Sequence, residues 1–360
     1  MTEKDFIPAS YSKELESGSV TYQSPSNIAL VKYWGKHGQQ LPQNASVSFT
    51  LNHCRTTTTL FFEPKADEAF EVSVLLDGVS KPDFEPKILQ FFERVETYLP
   101  LLRKYRFRIE TTNSFPHSSG IASSASGMSA LSMCLMDMEQ QLLEHPMSDD
   151  RRKQKASFIS RLGSGSASRS IEGPIVLWGT HPDVSGSSDL FGIPYHLPVH
   201  PIFAAYKDTI LLVDKGEKQV SSSVGHNLMH DHAYAQRRFN EANANISRLA
   251  EVFEAGDLTA FIEIVESEAL QLHAMMMTSI PYFILMKPNT LEIINRIWAF
   301  RKETSIPVCF TLDAGANVHV LYPDAHAAAV DQFIKADLAS YCKNGEFIQD
   351  QTGFGASAVI

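Results

Sequence analysis

The chain has 360 residues, of which 44% are hydrophobic and 20% are charged, and its formal net charge is −10 at pH 7. This composition is that of an ordinary globular protein and excludes a mainly disordered chain. The acidic balance argues against nucleic acid as a partner, although a local cluster of basic residues can still bind phosphates. Because the length exceeds that of a typical single core, we expect two lobes.

The cysteines and the N-terminal segment indicate a cellular location. The four cysteines are scattered and form no CxxC pair, which predicts reduced thiols. The first twenty residues lack the apolar centre of a signal peptide, and no other apolar run is long enough to span a bilayer. We therefore expect a cytoplasmic protein with no membrane partner.

The first half of the chain alternates between strand and helix patterns. Alternating or β-branched runs predict strands at 55–63, 69–78 and 104–113. Apolar residues at helical spacing predict helices over 86–99 and 148–162, and a third helix follows the Gly/Ser-rich loop at 115–127. Ser148 or Asp149 is the expected N-cap of the helix at 148–162.

A stretch rich in Pro, Gly and His at 180–201 breaks this pattern and is the candidate domain boundary. We expect an N-terminal lobe over 1–195 and a C-terminal lobe over 196–360. The second lobe has predicted strands at 208–214 and around 308–322, and predicted helices at 240–256, 258–276, 290–302 and 327–341. The overall class is mixed α and β.

The loop FPHSSGIASSASG (115–127) places small residues where the chain enters a helix. Backbone N–H groups can approach an anion closely there, and the helix N-terminus favours negative charge. The sequence matches neither GxxxxGK[ST] nor GxGxxG. An ordinary helix entry is the alternative.

The run SPSNIALVKYWGKHG (24–38) carries Lys32 and Lys36 on either side of Trp34 in a strand-like pattern. A solvated edge strand is the alternative interpretation. Lys32 follows the apolar residues IALV, where an exposed charge is less expected.

The stretch RLGSGSASRSIEG (161–173) resembles a flexible linker by composition. Its flanks are an amphipathic helix and the apolar run IVLWG, which a linker would lack. Its hydroxyls, backbone donors and the planar fork of Arg169 suit a carboxylate or a phosphate instead.

The run CFTLDAGANVHVLY (309–322) places Asp313 at the end of an apolar strand, before a tight turn of small residues. A carboxylate in that position is a candidate catalytic group, and an Asx-turn cap is the alternative.

Several histidines could suggest a metal site. His226, His230 and His232 have helical spacing, but no carboxylate or cysteine completes a zinc motif, so we interpret them as surface or capping residues. His273 and the methionines at 275–277 are interpreted as helix packing near a cleft.

The four motif-bearing stretches, taken in chain order, resemble the GHMP kinase superfamily and, within it, the diphosphomevalonate decarboxylase family. NIALVKYWGK, the threonines at 56–59, FPHSSGIASSASG, RLGSGSASRS and TLDAGAN carry the likeness. The resemblance implies an α+β, two-lobed GHMP kinase fold with its active site between the lobes. The N-terminal lobe would resemble domain 2 of ribosomal protein S5, and the C-terminal lobe would be ferredoxin-like.

The resemblance also implies a reaction and its residues. ATP, with Mg²⁺, would phosphorylate the 3-hydroxyl of mevalonate 5-diphosphate, and loss of phosphate and carbon dioxide would give isopentenyl diphosphate. Asp313 would act as general base, Lys32 would keep it ionised, and Arg169 would hold the substrate carboxylate. The remaining implied substrate contacts are Tyr33, Lys36, Ser164, Gly165, Ser166, Ser221, Ser222 and Lys87. The implied ATP contacts are Pro116, Ser119, Gly120, Ala122, Ser123 and Ser124, with Ser123 and Ser124 near Mg²⁺. A homodimer is expected from the resemblance alone.

The sequence departs from the family pattern at a few positions. His117 and paired serines stand where the family commonly has Thr-Ala-Ala, and Ala316 stands where proline is usual. An arginine that helps to bind the diphosphate has no clear counterpart, and Lys87 is the nearest candidate. A mevalonate 3-kinase, a phosphomevalonate decarboxylase and a non-catalytic binding protein of the same fold remain alternatives.

Overall fold

The first lobe is built on a mixed sheet. The computed structural model describes residues 1–116, 121–216 and 222–359, and within these ranges the sheet has eight strands. They are β1 (Gly18–Val31), β4 (Ser46–Pro64), β5 (Glu71–Leu76), β6 (Val79–Ser80), β7 (Tyr105–Asn113), β8 (Ile175–Trp178), β9 (Gly192–Pro194) and β14 (Ser357–Ala358). The order is β14-β1-β4-β7-β5-β6, with β8 pairing with both β4 and β9. A separate hairpin consists of β2 (Lys36–His37) and β3 (Leu41–Pro42).

Three helices contribute to the hydrophobic core of this lobe: α1 (Glu85–Val95), α2 (Ser123–Leu142) and α3 (Asp149–Gly163). The strand and helix patterns of the first half predict these elements correctly. Ser148 caps α3 as expected, since its side chain accepts a hydrogen bond from the backbone N–H of Arg151 at 3.2 Å. Apolar residues of α2, α3 and the sheet share one buried cluster, which holds the helices in place.

The second lobe is a four-stranded antiparallel sheet with helices. Its strands are β10 (Lys207–Leu211), β11 (Cys309–Thr311), β12 (Val318–Tyr322) and β13 (Phe347–Gln351). Its helices are α4 (Ser222–Asn227), α5 (Ala235–Ala255), α6 (Leu258–Met277), α7 (Pro288–Thr304) and α8 (Ala327–Phe333). The strands lie across the sheet in the order β13-β10-β12-β11, which is the fourth, first, third and second strand of the lobe along the chain. This is the ferredoxin-like arrangement predicted for this lobe.

The two lobes share a buried apolar cluster. Val31 and Phe49 from the first sheet lie in the same cluster as Ile210 and Phe261 from the second lobe. The connection between β9 and β10 contains residue 195, and we propose the lobe boundary there. None of the helices among the described residues combines the length and the apolar character that a membrane span requires.

Two alternative interpretations from the sequence are wrong. β1 ends at Val31, so Lys32 follows the strand instead of lying within it, and β1 pairs with β4 and β14 rather than forming an exposed edge. The Gly/Ser stretch is not a linker, because Gly165–Arg169 forms a 3₁₀ turn in which most residues are buried.

Candidate active site

The predicted motifs converge on one cavity of about 250 Å³. Its charged lining residues include four cations and one carboxylate, so the site is basic although the whole chain is acidic. A cavity of this sign suits an anionic ligand. The described lining residues are Ala29, Lys32, Tyr33, Trp34, Lys36, Gln40, Lys87, Ala122, Ser124, Gly163, Ser164, Gly165, Ser166, Arg169, His226, Leu272, Asp313 and Ala314.

Lys32 and Asp313 form an ion pair at the bottom of this cavity. Together with Arg169, these two residues are called the floor of the cavity. The Lys32 Nζ lies 3.1 Å from Asp313 Oδ1, and Lys32 is 1% exposed. Burial lowers the pKa of Lys32, and the Asp313 carboxylate opposes that shift. Asp313 keeps 27% of its side chain exposed, so a ligand in the cavity can reach its carboxylate.

The main chain of Lys32 is fixed by buried polar partners. Its N–H donates to Glu268 Oε2 at 2.8 Å, and its carbonyl accepts from Asn44 Nδ2 at 2.9 Å. Glu268 in α6 is completely buried and pairs with Arg238 of α5, while Asn245 donates to its Oε1 at 2.7 Å. Because both lobes contribute to this network, it sets the direction in which Lys32 leaves β1.

Asp313 follows β11 and is held from behind by His273 of α6. The His273 Nε2 lies 3.1 Å from the Asp313 carbonyl, which can only accept, so Nε2 carries the proton. Burial lowers the pKa of His273 to about 4, and the ring is therefore neutral at physiological pH. The expectation of helix packing near a cleft is met, with the addition that His273 positions the turn that carries Asp313.

Arg169 ends the 3₁₀ turn and is 3% exposed. Its Nη1 donates to Ser46 Oγ, and its Nε donates to Asn27 Oδ1 at 3.4 Å. Asn27 in turn donates to Ser170 Oγ at 2.8 Å, which fixes the amide. Burial lowers the pKa of Arg169 to about 10, so the guanidinium stays charged at pH 7. Nη2 has no hydrogen-bond partner in the described part of the chain and is available to a ligand.

One wall of the cavity is aromatic. The Tyr33 ring packs against Trp178 with 4.7 Å between centroids, and its buried hydroxyl has no hydrogen-bond partner among the described residues. A Cβ on Gly165 would lie 3.0 Å from that hydroxyl and 2.9 Å from Trp178, so glycine is required for this approach. An orphaned buried hydroxyl in a cavity wall favours a polar ligand group beside it.

The surface interpretation of His226 is wrong. His226 is 8% exposed, lines the cavity and packs against Tyr33 and Trp34. Of the other two histidines, His230 is exposed, and His232 caps a turn by accepting from the N–H of Tyr234.

The mouth of the cavity, defined as Lys36, Gln40 and Lys87, is more open to solvent. Lys36 Nζ donates to Gln40 Oε1 at 3.0 Å within the β2–β3 hairpin, and both residues are half-buried. Lys87 is an exposed residue in the first turn of α1. Lys36 and Lys87, which the sequence predicts to bind substrate, therefore line the same cavity as the floor residues.

The N-terminus of α2 contributes Ala122 and Ser124 to the lining of the cavity. Ala122 has a φ of 45°, and Ser124 Oγ lies 3.4 Å from Ser164 Oγ, which brings the start of α2 beside the Gly/Ser turn. Ser123 is half-buried in the same first turn. Hydroxyls and first-turn N–H groups are donors that fit nucleotide phosphates, and serine oxygens fit Mg²⁺.

Part of the predicted nucleotide and substrate set cannot be placed. Pro116 is described and precedes the gap at 117–120. The predictions for Ser119, Gly120 and Ser221, and for the side chain of Ser222, lie outside the described residues.

Comparison with known proteins decides the family. The model of the diphosphomevalonate decarboxylase-like N-terminal domain matches residues 24–189, and that of the mevalonate 5-diphosphate decarboxylase C-terminal domain matches residues 209–357. A diphosphomevalonate decarboxylase from Ganoderma lucidum is 30% identical over 94% of this chain and 86% of its own length. The chain belongs to the diphosphomevalonate decarboxylase family.

Two further relatives bear on the ligands of this family. A solved structure described as "MDDEF in complex with MVAPP, AMPPCP and Magnesium" has a TM-score of 0.81 and 27% identity, over 95% of this chain and 99% of that one. A phosphomevalonate decarboxylase from Haloferax volcanii is 27% identical over 85% of this chain and 88% of its own length. The two-lobed GHMP-type fold predicted from the sequence is confirmed.

Sequence reasoning missed the residues that support the site. Asn27 is the first residue of the motif NIALVKYWGK, and a polar residue directly before an apolar run could have indicated a buried polar contact. Ser46, Glu268 and Arg238 carried no such signal, since each is a common residue type whose role depends on contacts across the fold.

Proposed function

We propose that this protein catalyses the ATP-dependent decarboxylation of mevalonate 5-diphosphate to isopentenyl diphosphate, with release of ADP, phosphate and carbon dioxide. The observation that carries the proposal is the floor of the cavity. Three motifs distant in sequence bring one carboxylate and two buried cations together there. Membership of the family and the ligands named for its solved relative support the same substrates.

In the proposed reaction, Asp313 accepts the proton of the 3-hydroxyl as that oxygen attacks the γ-phosphorus of ATP. Lys32, 3.1 Å from Asp313 Oδ1, keeps the carboxylate ionised before the transfer and offsets negative charge during it. The ADP leaves with the electrons of the broken P–O bond. Mg²⁺, held with ATP by Ser123 and Ser124, would supply further charge stabilisation.

Arg169 serves the second half of the reaction. When the 3-phosphate leaves with its bonding electrons, the electrons of the bond to the carboxylate form the new C=C bond and carbon dioxide departs. Ser46 and Asn27 hold the guanidinium, while Nη2 can grip the substrate carboxylate. That grip keeps the breaking bond aligned with the leaving phosphate.

The remaining residues predicted from the sequence are proposed to bind the two phosphorylated ligands. Tyr33, Lys36, Lys87 and the turn at 164–166 would contact mevalonate 5-diphosphate, and Ser221 and Ser222 are proposed on sequence grounds alone. Ala122, Ser123, Ser124 and Pro116 would contact ATP, with Ser119 and Gly120 again proposed from sequence. We also propose a cytoplasmic homodimer, and the four free, buried cysteines support a reducing compartment. Light scattering of the purified protein tests the dimer.

The decisive experiment measures ADP and trapped carbon dioxide together, with mevalonate, its 5-phosphate or its 5-diphosphate as substrate. We expect one ADP per carbon dioxide and the highest kcat/KM with the diphosphate. ADP without carbon dioxide would indicate a 3-kinase. Preference for the 5-phosphate would indicate the activity named for the Haloferax relative, and no turnover would favour a binding protein.

A further inference from the structure

His226 is a buried polar residue that the mechanism above does not use. It lies in α4 and lines the cavity, and its ring packs between two residues of the KYWGK motif. The ring centroids are 4.3 Å from Tyr33 and 4.6 Å from Trp34. Packing on both rings fixes the plane of the imidazole and leaves little freedom for a rotamer change.

The backbone of Gly35 fixes the tautomer of this ring. The Gly35 N–H donates to His226 Nδ1 at 2.9 Å, so Nδ1 must carry its lone pair. Burial, together with the charges of Lys36 and Arg169, lowers the pKa of His226 to about 3. The imidazole is therefore neutral at physiological pH and carries its one proton on Nε2.

That proton has no acceptor in the described part of the chain. An oxygen of a ligand in the cavity would supply the acceptor that the described residues do not give to Nε2–H. The neighbouring cations attract anionic ligands to this wall. The carboxylate and the 3-hydroxyl of the substrate are assigned to Arg169 and Asp313, which leaves the diphosphate for the wall formed by Tyr33, Lys36 and His226.

We propose that His226 is a substrate-binding residue whose Nε2–H donates to an oxygen of the substrate diphosphate and favours the diphosphate over the monophosphate. The inference rests on the proposed function. A neutral donor suits this position, since it adds a directed hydrogen bond without a further buried cation beside Lys36 and Arg169.

The test compares His226→Phe with His230→Phe in the full-length protein. Phenylalanine keeps the ring packing on Trp34 and removes the Nε2–H donor, together with the Nδ1 acceptor of the Gly35 N–H. His230 is an exposed histidine on the same segment. For His226→Phe we expect KM for mevalonate 5-diphosphate to rise about tenfold, the value of one hydrogen bond of about 1.4 kcal/mol. KM for ATP and for mevalonate 5-phosphate should change less than about threefold, and His230→Phe should behave as wild type.

A binding measurement on the unaltered protein covers the case in which His226→Phe folds poorly. In protein labelled with ¹⁵N-histidine, the Nε2–H signal of His226 should shift when mevalonate 5-diphosphate is added without ATP, while the Nδ1 signal keeps its acceptor character. An unchanged Nε2 signal, or an equal rise in KM for both phosphorylated substrates, overturns the proposal. Failure of the unaltered protein to turn over any mevalonate compound would instead reject the proposed function.

Discussion

The floor and the mouth of the cavity hold their charges in different ways. At the floor, Lys32 and Arg169 are almost fully buried, and Glu268, Asn27 and Ser46 hold them in place. At the mouth, Lys36 is half-buried and Lys87 is exposed. Charges in a buried, preorganised setting act strongly on a reacting centre, whereas exposed charges are screened by water. The floor is therefore suited to chemistry and the mouth to attracting and orienting substrate.

The largest effect should follow removal of the floor carboxylate. Asp313→Asn keeps the shape of the side chain and removes the base, so kcat should fall by about 10³-fold, the usual size of general base catalysis. ADP release with mevalonate 5-diphosphate measures it, and an unchanged circular dichroism spectrum at the assay temperature is the control for folding. Retention of more than about a tenth of the activity would mean that Asp313 is not the base.

A somewhat smaller loss should follow Arg169→Lys. Lysine keeps the charge but loses the fork that contacts Ser46 and Asn27, so kcat/KM for mevalonate 5-diphosphate should fall about 10²-fold. Arg237→Lys is the matched control, since that side chain is 86% exposed on α5. If the two variants show the same kcat/KM, Arg169 does not hold the substrate carboxylate.

The buried Glu268–Arg238 pair, which holds the main chain of Lys32, should contribute to the free energy of unfolding. Glu268→Gln leaves Arg238 buried without its anion, so the free energy of unfolding should fall by about 3 kcal/mol. Glu263→Gln on the same helix is the control, because its carboxylate is 66% exposed. Urea unfolding measures both variants, and a difference below about 1 kcal/mol between them would show that the network does not stabilise the lobe interface.

The contrast between floor and mouth could be predicted only in part. The motifs identified Lys32, Arg169 and Asp313, and strand and helix periodicity located most elements. The burial of His226 could not be predicted, because the spacing of His226 and His230 in the sequence resembles that of a solvated helix face. The pairing of Glu268 with Arg238 could not be predicted either, since it depends on how α5 and α6 pack.

The pH dependence of kcat/KM should report the titration of the buried Lys32. Lys32 must be protonated to pair with Asp313, and burial lowers its pKa below the 10.5 of an exposed lysine. The kcat/KM should therefore fall as pH rises through that lowered pKa, with a midpoint below 10.5. Lys32→Arg should move this alkaline limb upward, and an unchanged limb in that variant would assign it to another group.

The smallest effect is expected at the mouth. Lys36→Met removes one half-buried cation and its contact with Gln40, so KM for mevalonate 5-diphosphate should rise about fivefold with kcat little changed. The rise should shrink as salt increases, because salt screens exposed charges. A fall in kcat as large as that of Arg169→Lys would contradict the division between floor and mouth.

The orientation of bound substrate tests this division most directly. A crystal structure of the protein with mevalonate 5-diphosphate should place the substrate carboxylate at Arg169, the 3-hydroxyl at Asp313 and the diphosphate toward Lys36. The reverse orientation, with the diphosphate at Arg169 and the carboxylate at the mouth, would contradict the account.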